Sequence, residues 1–169
     1  MYKRQELYIK EAETLRIKSK STKFEIVEIK DLNADSRRDN FRIHLAEMVE
    51  ARGSFSNFRL NELTDRLDLR VEYGDLDIQK TAVDFSSIFI ESKSTDINIY
   101  FDEKSEFGFE ITHAKTDLDF CSEIKVEEEK SLDDKETRIK LNGNFGTKTQ
   151  NKTKLSINAN SGEINIFSN

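Results

Sequence analysis

Proline and tryptophan are absent from this 169-residue chain, glycine occurs six times and cysteine once. Proline cannot donate to a β-ladder, so a chain without it is free to be strand along most of its length. The lone Cys121 excludes an internal disulfide. No apolar run approaches the roughly 18 residues of a membrane-spanning helix. The opening Met-Tyr-Lys-Arg-Gln-Glu lacks the apolar stretch of a secretory signal, so an exported protein of this sequence would have had its signal trimmed. There is no Gly-rich phosphate loop, nucleophile elbow or helix-borne metal motif. His44 and His113, the two histidines, are too far apart in sequence for a zinc spacing. With one cysteine and no such motif, the chain implies no cofactor and no dedicated metal.

Charged residues make up 36% and hydrophobic residues 36% of the chain. That is lean for a deep globular centre and sufficient for the thin core of a repeat structure. Charge is unevenly spread. Residues 1–60 hold 13 basic and 10 acidic side chains, residues 61–120 hold 6 and 15, and the remainder holds 8 of each. The acidic middle excludes the continuous positive face that a nucleic-acid partner requires.

What the chain has instead is a repeat. Doublets of the form apolar–x–apolar recur in pairs nine residues apart: Leu15/Ile17 with Phe24/Ile26, Leu32/Ala34 with Phe41/Ile43, Val49/Ala51 with Phe58/Leu60. Leu67/Leu69 with Leu76/Ile78, Ile88/Ile90 with Ile97/Ile99, Phe109/Ile111 with Leu118/Phe120, and Leu155/Ile157 with Ile164/Ile166 complete the series. Alternation over a few positions marks a half-buried strand, and repetition at this period marks a solenoid. Equivalent doublets lie 17, 18 or 21 residues apart, with Leu7/Ile9 supplying half of an earlier turn. The two residues before each second doublet, Thr22-Lys23, Asp39-Asn40, Ser56-Asn57, Gly74-Asp75, Thr95-Asp96, Thr116-Asp117 and Gly162-Glu163, are turn formers.

The expected fold is therefore all-β: a single-stranded, right-handed β-helix of about seven turns of 17–21 residues, forming one domain over residues 1–169. Phe24, Phe41 and Phe58 should lie one above another. A meandering antiparallel sandwich would not need the constant offset. Residues 121–154 break the pattern and read as an inserted loop or hairpin, with Ile124/Val126 and Ile139/Leu141 as its strands. Leu45, Met48 and Val49 also fit a short helical turn.

The candidate binding residues are outward. Asp75, Asp96 and Asp117 are 21 apart and should form a vertical column, with Asp77, Asn98 and Asp119 in a second column two residues on. Carboxylates on neighbouring rungs can share a hard cation, but capping of corner N–H groups is the simpler role, and Lys23 in the same column argues against a metal. Arg42 and Arg59 should stack above Asp77, giving a positive face over a negative one. Paired acids also suggest glycoside chemistry, although only Phe89 projects outward as a sugar platform.

Tyr73-Gly74-Asp75-Leu76-Asp77-Ile78, Ser94-Thr95-Asp96-Ile97-Asn98-Ile99, Ser161-Gly162-Glu163-Ile164-Asn165-Ile166 and Gly53-Ser54-Phe55-Ser56-Asn57-Phe58 resemble the rungs of bacterial adhesin-type β-helical envelope domains of unknown function, frequent in Bacteroidetes. The resemblance implies export to the cell envelope, with the cytoplasm as the alternative, and brings no catalytic residues. The expected function is a non-enzymatic scaffold presenting a polar face to a protein or glycan partner. The alternatives are a polysaccharide-acting enzyme and a protein that self-assembles through its terminal rungs, Leu7/Ile9 and Ile164/Ile166.

Overall fold

Alternation of apolar and polar side chains obliges each segment to lie flat against a neighbour of the same pattern, and in the computed structural model every strand does so. The structure describes residues 5–135, 137–149 and 152–169. Their eleven strands form one sheet wound on itself. In chain order they are β1 (Gln5–Lys20), β2 (Thr22–Arg37), β3 (Asn40–Ser54), β4 (Asn57–Glu72), β5 (Asp75–Ile78) and β6 (Ser87–Lys93). Then come β7 (Asp96–Phe101), β8 (Phe107–Phe120), β9 (Ile124–Ser131), β10 (Arg138–Phe145) and β11 (Thr153–Ser168). No helix interrupts the described residues; Leu45, Met48 and Val49 lie within the extended β3.

Successive rungs pair parallel and in register, Phe24 with Phe41 and Phe41 with Phe58, as the 17-residue period predicts. The rings stack at centroid separations of 4.6 and 4.9 Å, an aromatic ladder at the strand spacing of a sheet. The doublets are the core: from Phe24/Ile26 to Ile97/Ile99 every one is buried. Each early rung also has an inward position midway between its doublets: Ala12, Ile29, Ala46 and Leu63. The inward spacing is thus two, three, three, two in β1 to β3 and two, three, four, two in β4, which carries a one-residue bulge after Leu63, and each of these strands runs through the return segment without a break.

The coil bends instead at one corner per turn, where β1 to β4 and β6 end and where β8 and β11 turn without interruption. There the backbone turns left-handed at Ser21, Arg38, Phe55, Tyr73, Ser94, Lys115 and Ser161, one residue before the turn-forming dipeptide. The residue that follows is buried at Thr22, Asp39, Ser56 and Thr95, and Asp39 and Ser56 satisfy their corners with side-chain hydrogen bonds. Asp39, 2% exposed, accepts hydrogen bonds from the amides of Thr22 and Arg37 and from Ser19 Oγ. Ser56 Oγ accepts from the amide of Asp39 at 3.2 Å. At Gly74 and Gly162 a Cβ would lie 2.0 and 2.2 Å from a carbonyl of the adjacent corner, so only glycine fits.

Two expectations require correction. The chain coils through about five consecutive turns, from Gln5 to Asp96, and not seven. After β7 it skips one layer. β8 is laid down two layers along, and β11 returns to fill the gap, pairing parallel with β6 and β7 on one side and β8 on the other. Ile164/Ile166 is therefore an interior rung and not a terminal one. The segment 121–154 contains a β-hairpin, β9–β10, which pairs antiparallel with β8 and caps that end. Phe85, Phe101, Phe107 and Phe145, all buried, form an aromatic knot between the lengthened returns and the cap, with ring separations of 4.7–5.6 Å.

Candidate functional site

The two predicted outward columns exist, with an inserted layer in each. Asp75 pairs in register with Asp96, but Glu163 of β11 stands between Asp96 and Asp117. Likewise Asn165 stands between Asn98 and Asp119. The misplacement has the same cause as the turn count, the late arrival of β11.

Both columns are largely occupied with their own structure. Asn57 Oδ1 accepts the amide of Asp75 and Asp96 Oδ1 accepts the amide of Glu163, each at 3.2 Å, so this column caps the next corner. In the other column Arg42 lies between Glu25 and Arg59, Arg59 reaches Asp77 at 3.6 Å, and Asn165 donates to Asn98 at 2.9 Å. Along this stack Glu25 and Asp77 flank the two arginines, and Arg59 pairs with Asp77. Among the described residues no three His, Cys, Asp or Glu side chains converge to hold a metal ion.

Stacked acids still have a consequence. Burial, and then the Asp96 carboxylate, push the Asp75 carboxyl above its ordinary 3.8. The charged form is thus the costlier one in the fold, and stability is lost as pH rises through the interval above 3.8. Asp75→Asn should melt higher than the parent near neutral pH and at the same temperature in acid below both pKa values; thermal melts across that pH range check this.

His44 bridges Glu25 at 3.0 Å and Asn61 at 3.1 Å, and its hydrogen bond holds the Glu25 carboxyl below the usual range. Burial lowers His113, against the pull of Glu129, and raises the half-buried Cys121 thiol.

A concave feature lies elsewhere, on the outer surface where β2 to β4, β6, β8 and β11 approach their corners. It is a groove of about 560 Å³ running along the stack. One wall is the outward row Asp35, Arg52, Arg70, Glu91 and Asn158; the other is Ser54, Glu72, Lys93, Asn160 and Ala114. Arg138 of the cap joins the first wall, donating to Asn158 at 3.2 Å. Five layers make it roughly 19 Å long. The buried positions between the walls, Ser36, Gly53, Val71, Ser92 and Ala159, are small or medium-sized.

Beyond the second wall come the corner residues, and two of them are aromatic. Phe55 and Tyr73 are 51% and 42% exposed and stack on each other at 5.0 Å, with Lys93 Nζ 5.6 Å from the tyrosine ring. Both have positive φ, 55° and 57°, where a bulky side chain costs on the order of 1–2 kcal/mol. Serine occupies the equivalent corner at 21, 94 and 161. Sequence reasoning missed this pair. The available signal was two aromatics at corner positions, outside the apolar doublets. Phe89 does project outward as expected and is half-buried, with the Arg70 guanidinium 6.0 Å from its ring.

No curated protein and no solved structure matches the chain. A family model does, over nearly all of it. With residues 6–167 matching the Toastrack DUF4097 model, the protein belongs to that family of β-solenoid domains.

Proposed function

We propose that the protein is a non-enzymatic binding scaffold of the cell envelope and that it holds an extended glycan along the groove beside Phe55 and Tyr73. The observation that carries this reading is the aromatic corner. Two exposed, mutually stacked rings occupy left-handed corner positions that serine, arginine or lysine fills elsewhere in the same stack, and apolar rings left in solvent beside a groove are a mark of binding. A sugar ring offers an apolar face for stacking and hydroxyl groups for hydrogen bonding. The walls carry both guanidinium and carboxylate groups to meet those hydroxyls, and their row spacing suits a polymer lying along the stack.

The test is a glycan array probed with the parent chain and with the double variant Phe55→Ser, Tyr73→Ser. Retention of one glycan class by the parent, lost in a variant whose thermal melt is unchanged or raised, is the expected result. Equal retention by both proteins, or none by either, would overturn it.

One observation favours a second reading. The groove holds three carboxylates, Asp35, Glu72 and Glu91, near exposed aromatics, which suits a polysaccharide-acting enzyme. Hydrolysis needs a protonated acid opposite a second carboxylate, whereas Glu91 is engaged by the Arg70 guanidinium at 3.5 Å. Release of reducing ends from a retained glycan would decide for the enzyme.

A further inference from the structure

The two ends of the solenoid are finished differently. One end carries the β9–β10 hairpin, whose outer strand presents Lys125, Glu127, Glu128, Glu129 and Lys130, the charged edge that discourages further pairing. The other end is β1, which pairs with β2 on one side only. Its inward residues are correspondingly uncovered. Leu7 is 48% exposed, and Ile9, Ala12, Leu15 and Ile17 are only partly buried. Their equivalents in β2, Phe24, Ile26, Ile29, Leu32 and Ala34, are each 3% exposed or less. A hollow of about 430 Å³ opens among Leu7, Ile9, Leu15, Ile17 and Phe24.

We propose that this edge is covered by the β1 of a second copy, the two strands running antiparallel about a two-fold axis at Ala12. The argument is symmetry. The inward positions 7, 9, 12, 15 and 17 read the same in both directions from Ala12. In the register where paired residue numbers sum to 24, Leu7 meets Ile17, Ile9 meets Leu15 and Ala12 meets its own copy. Directly opposed residues of an antiparallel pair point to the same face, so core columns would meet core columns and the hollow would close.

Charge agrees with this register. β1 carries Glu6, Lys10, Glu11 and Glu13 in its first part and Arg16, Lys18 and Lys20 toward its end. The two-fold places Glu6 opposite the partner's Lys18 and Tyr8, 69% exposed, opposite the partner's Arg16. Glu11 opposite Glu13 is the unfavourable pair and limits affinity. Because the far end is capped, association stops at two copies, a closed isologous dimer and not a fibre.

The experiment is sedimentation of the whole chain at rising concentration, with charge-reversal variants. The expected result is a concentration-dependent dimer, weakened at least tenfold by Glu6→Lys or by Lys18→Glu alone and restored by the two together. In a Cys121→Ser background, Ala12→Cys should cross-link to dimer under mild oxidation while Lys10→Cys should not. Leu7→Lys should give a monomer; if it fails to fold, the charge reversal and the cross-link still decide. A monomer at every concentration, or a dimer indifferent to these changes, would overturn the proposal, the former being the outcome if a segment of the same chain covers the edge.

Discussion

Ending the chain at Thr149 is expected to abolish cooperative folding of everything beyond β7. Among the described residues β11 is the only strand with ladder bonds both to the five-turn coil, through β6 and β7, and to β8 with its capping hairpin. Removing it leaves a one-layer gap between strands that have no pairing with each other. It also withdraws Leu155, Ile157, Ile164 and Ile166, all buried, and four such side chains are worth about 6–12 kcal/mol. That is comparable to the whole stability of an ordinary domain, about 5–15 kcal/mol. The phenylalanine knot is not expected to hold the two parts together, because its rings sit at the return end and supply no ladder. Limited proteolysis should degrade residues 107–149 of the shortened chain while the early coil persists. A synthetic peptide of residues 152–169 should restore protection, since the vacant slot offers backbone partners on both sides. Equal protease resistance of the shortened and full chains would refute the keystone role of β11.

Phe41→Ala should cost about 3–5 kcal/mol, the range for deleting a fully buried aromatic ring. Phe41 is 0% exposed and stacks on Phe24 above and Phe58 below, with interplanar angles of 8° and 3°. Its loss therefore breaks two ring contacts and leaves a void between layers whose spacing is fixed by backbone hydrogen bonds. The sheet cannot close over such a void without breaking its register. In contrast, Leu132→Ala on the hairpin, where the side chain is 46% exposed, should change stability by less than about 0.5 kcal/mol. Urea unfolding of both variants checks the pair. A loss below about 1 kcal/mol for Phe41→Ala would mean that the ladder is not a structural spine.

Much of the fold was legible from residue order because inward and outward positions obey a local code. Phe24, Phe41 and Phe58 stand where the 17-residue period puts them, and the corners fall at the expected dipeptides. The middle inward position at Ala12, Ile29, Ala46 and Leu63 was not read, because alanine at two of the four hides it. The candidate site was less legible. The acidic columns at Asp75, Asp96 and Asp117 and at Asp77, Asn98 and Asp119 were located by spacing, but each has a β11 residue interposed. The groove was not legible at all, since its walls draw side chains from β2, β3, β4, β6, β8 and β11 and from Arg138 of the cap.

Periodicity of the apolar doublets was enough to establish a parallel coil, its corners and the direction of nearly every side chain, because a strand's alternation must match the strand it lies on. The order in which layers stack was decided only in three dimensions. An apolar–x–apolar doublet fits any neighbour of the same pattern, so nothing local tells Leu155/Ile157 to settle between Ile88/Ile90 and Phe109/Ile111. That choice belongs to the vacancy left by β8 and to the hydrogen bonds available on both of its sides.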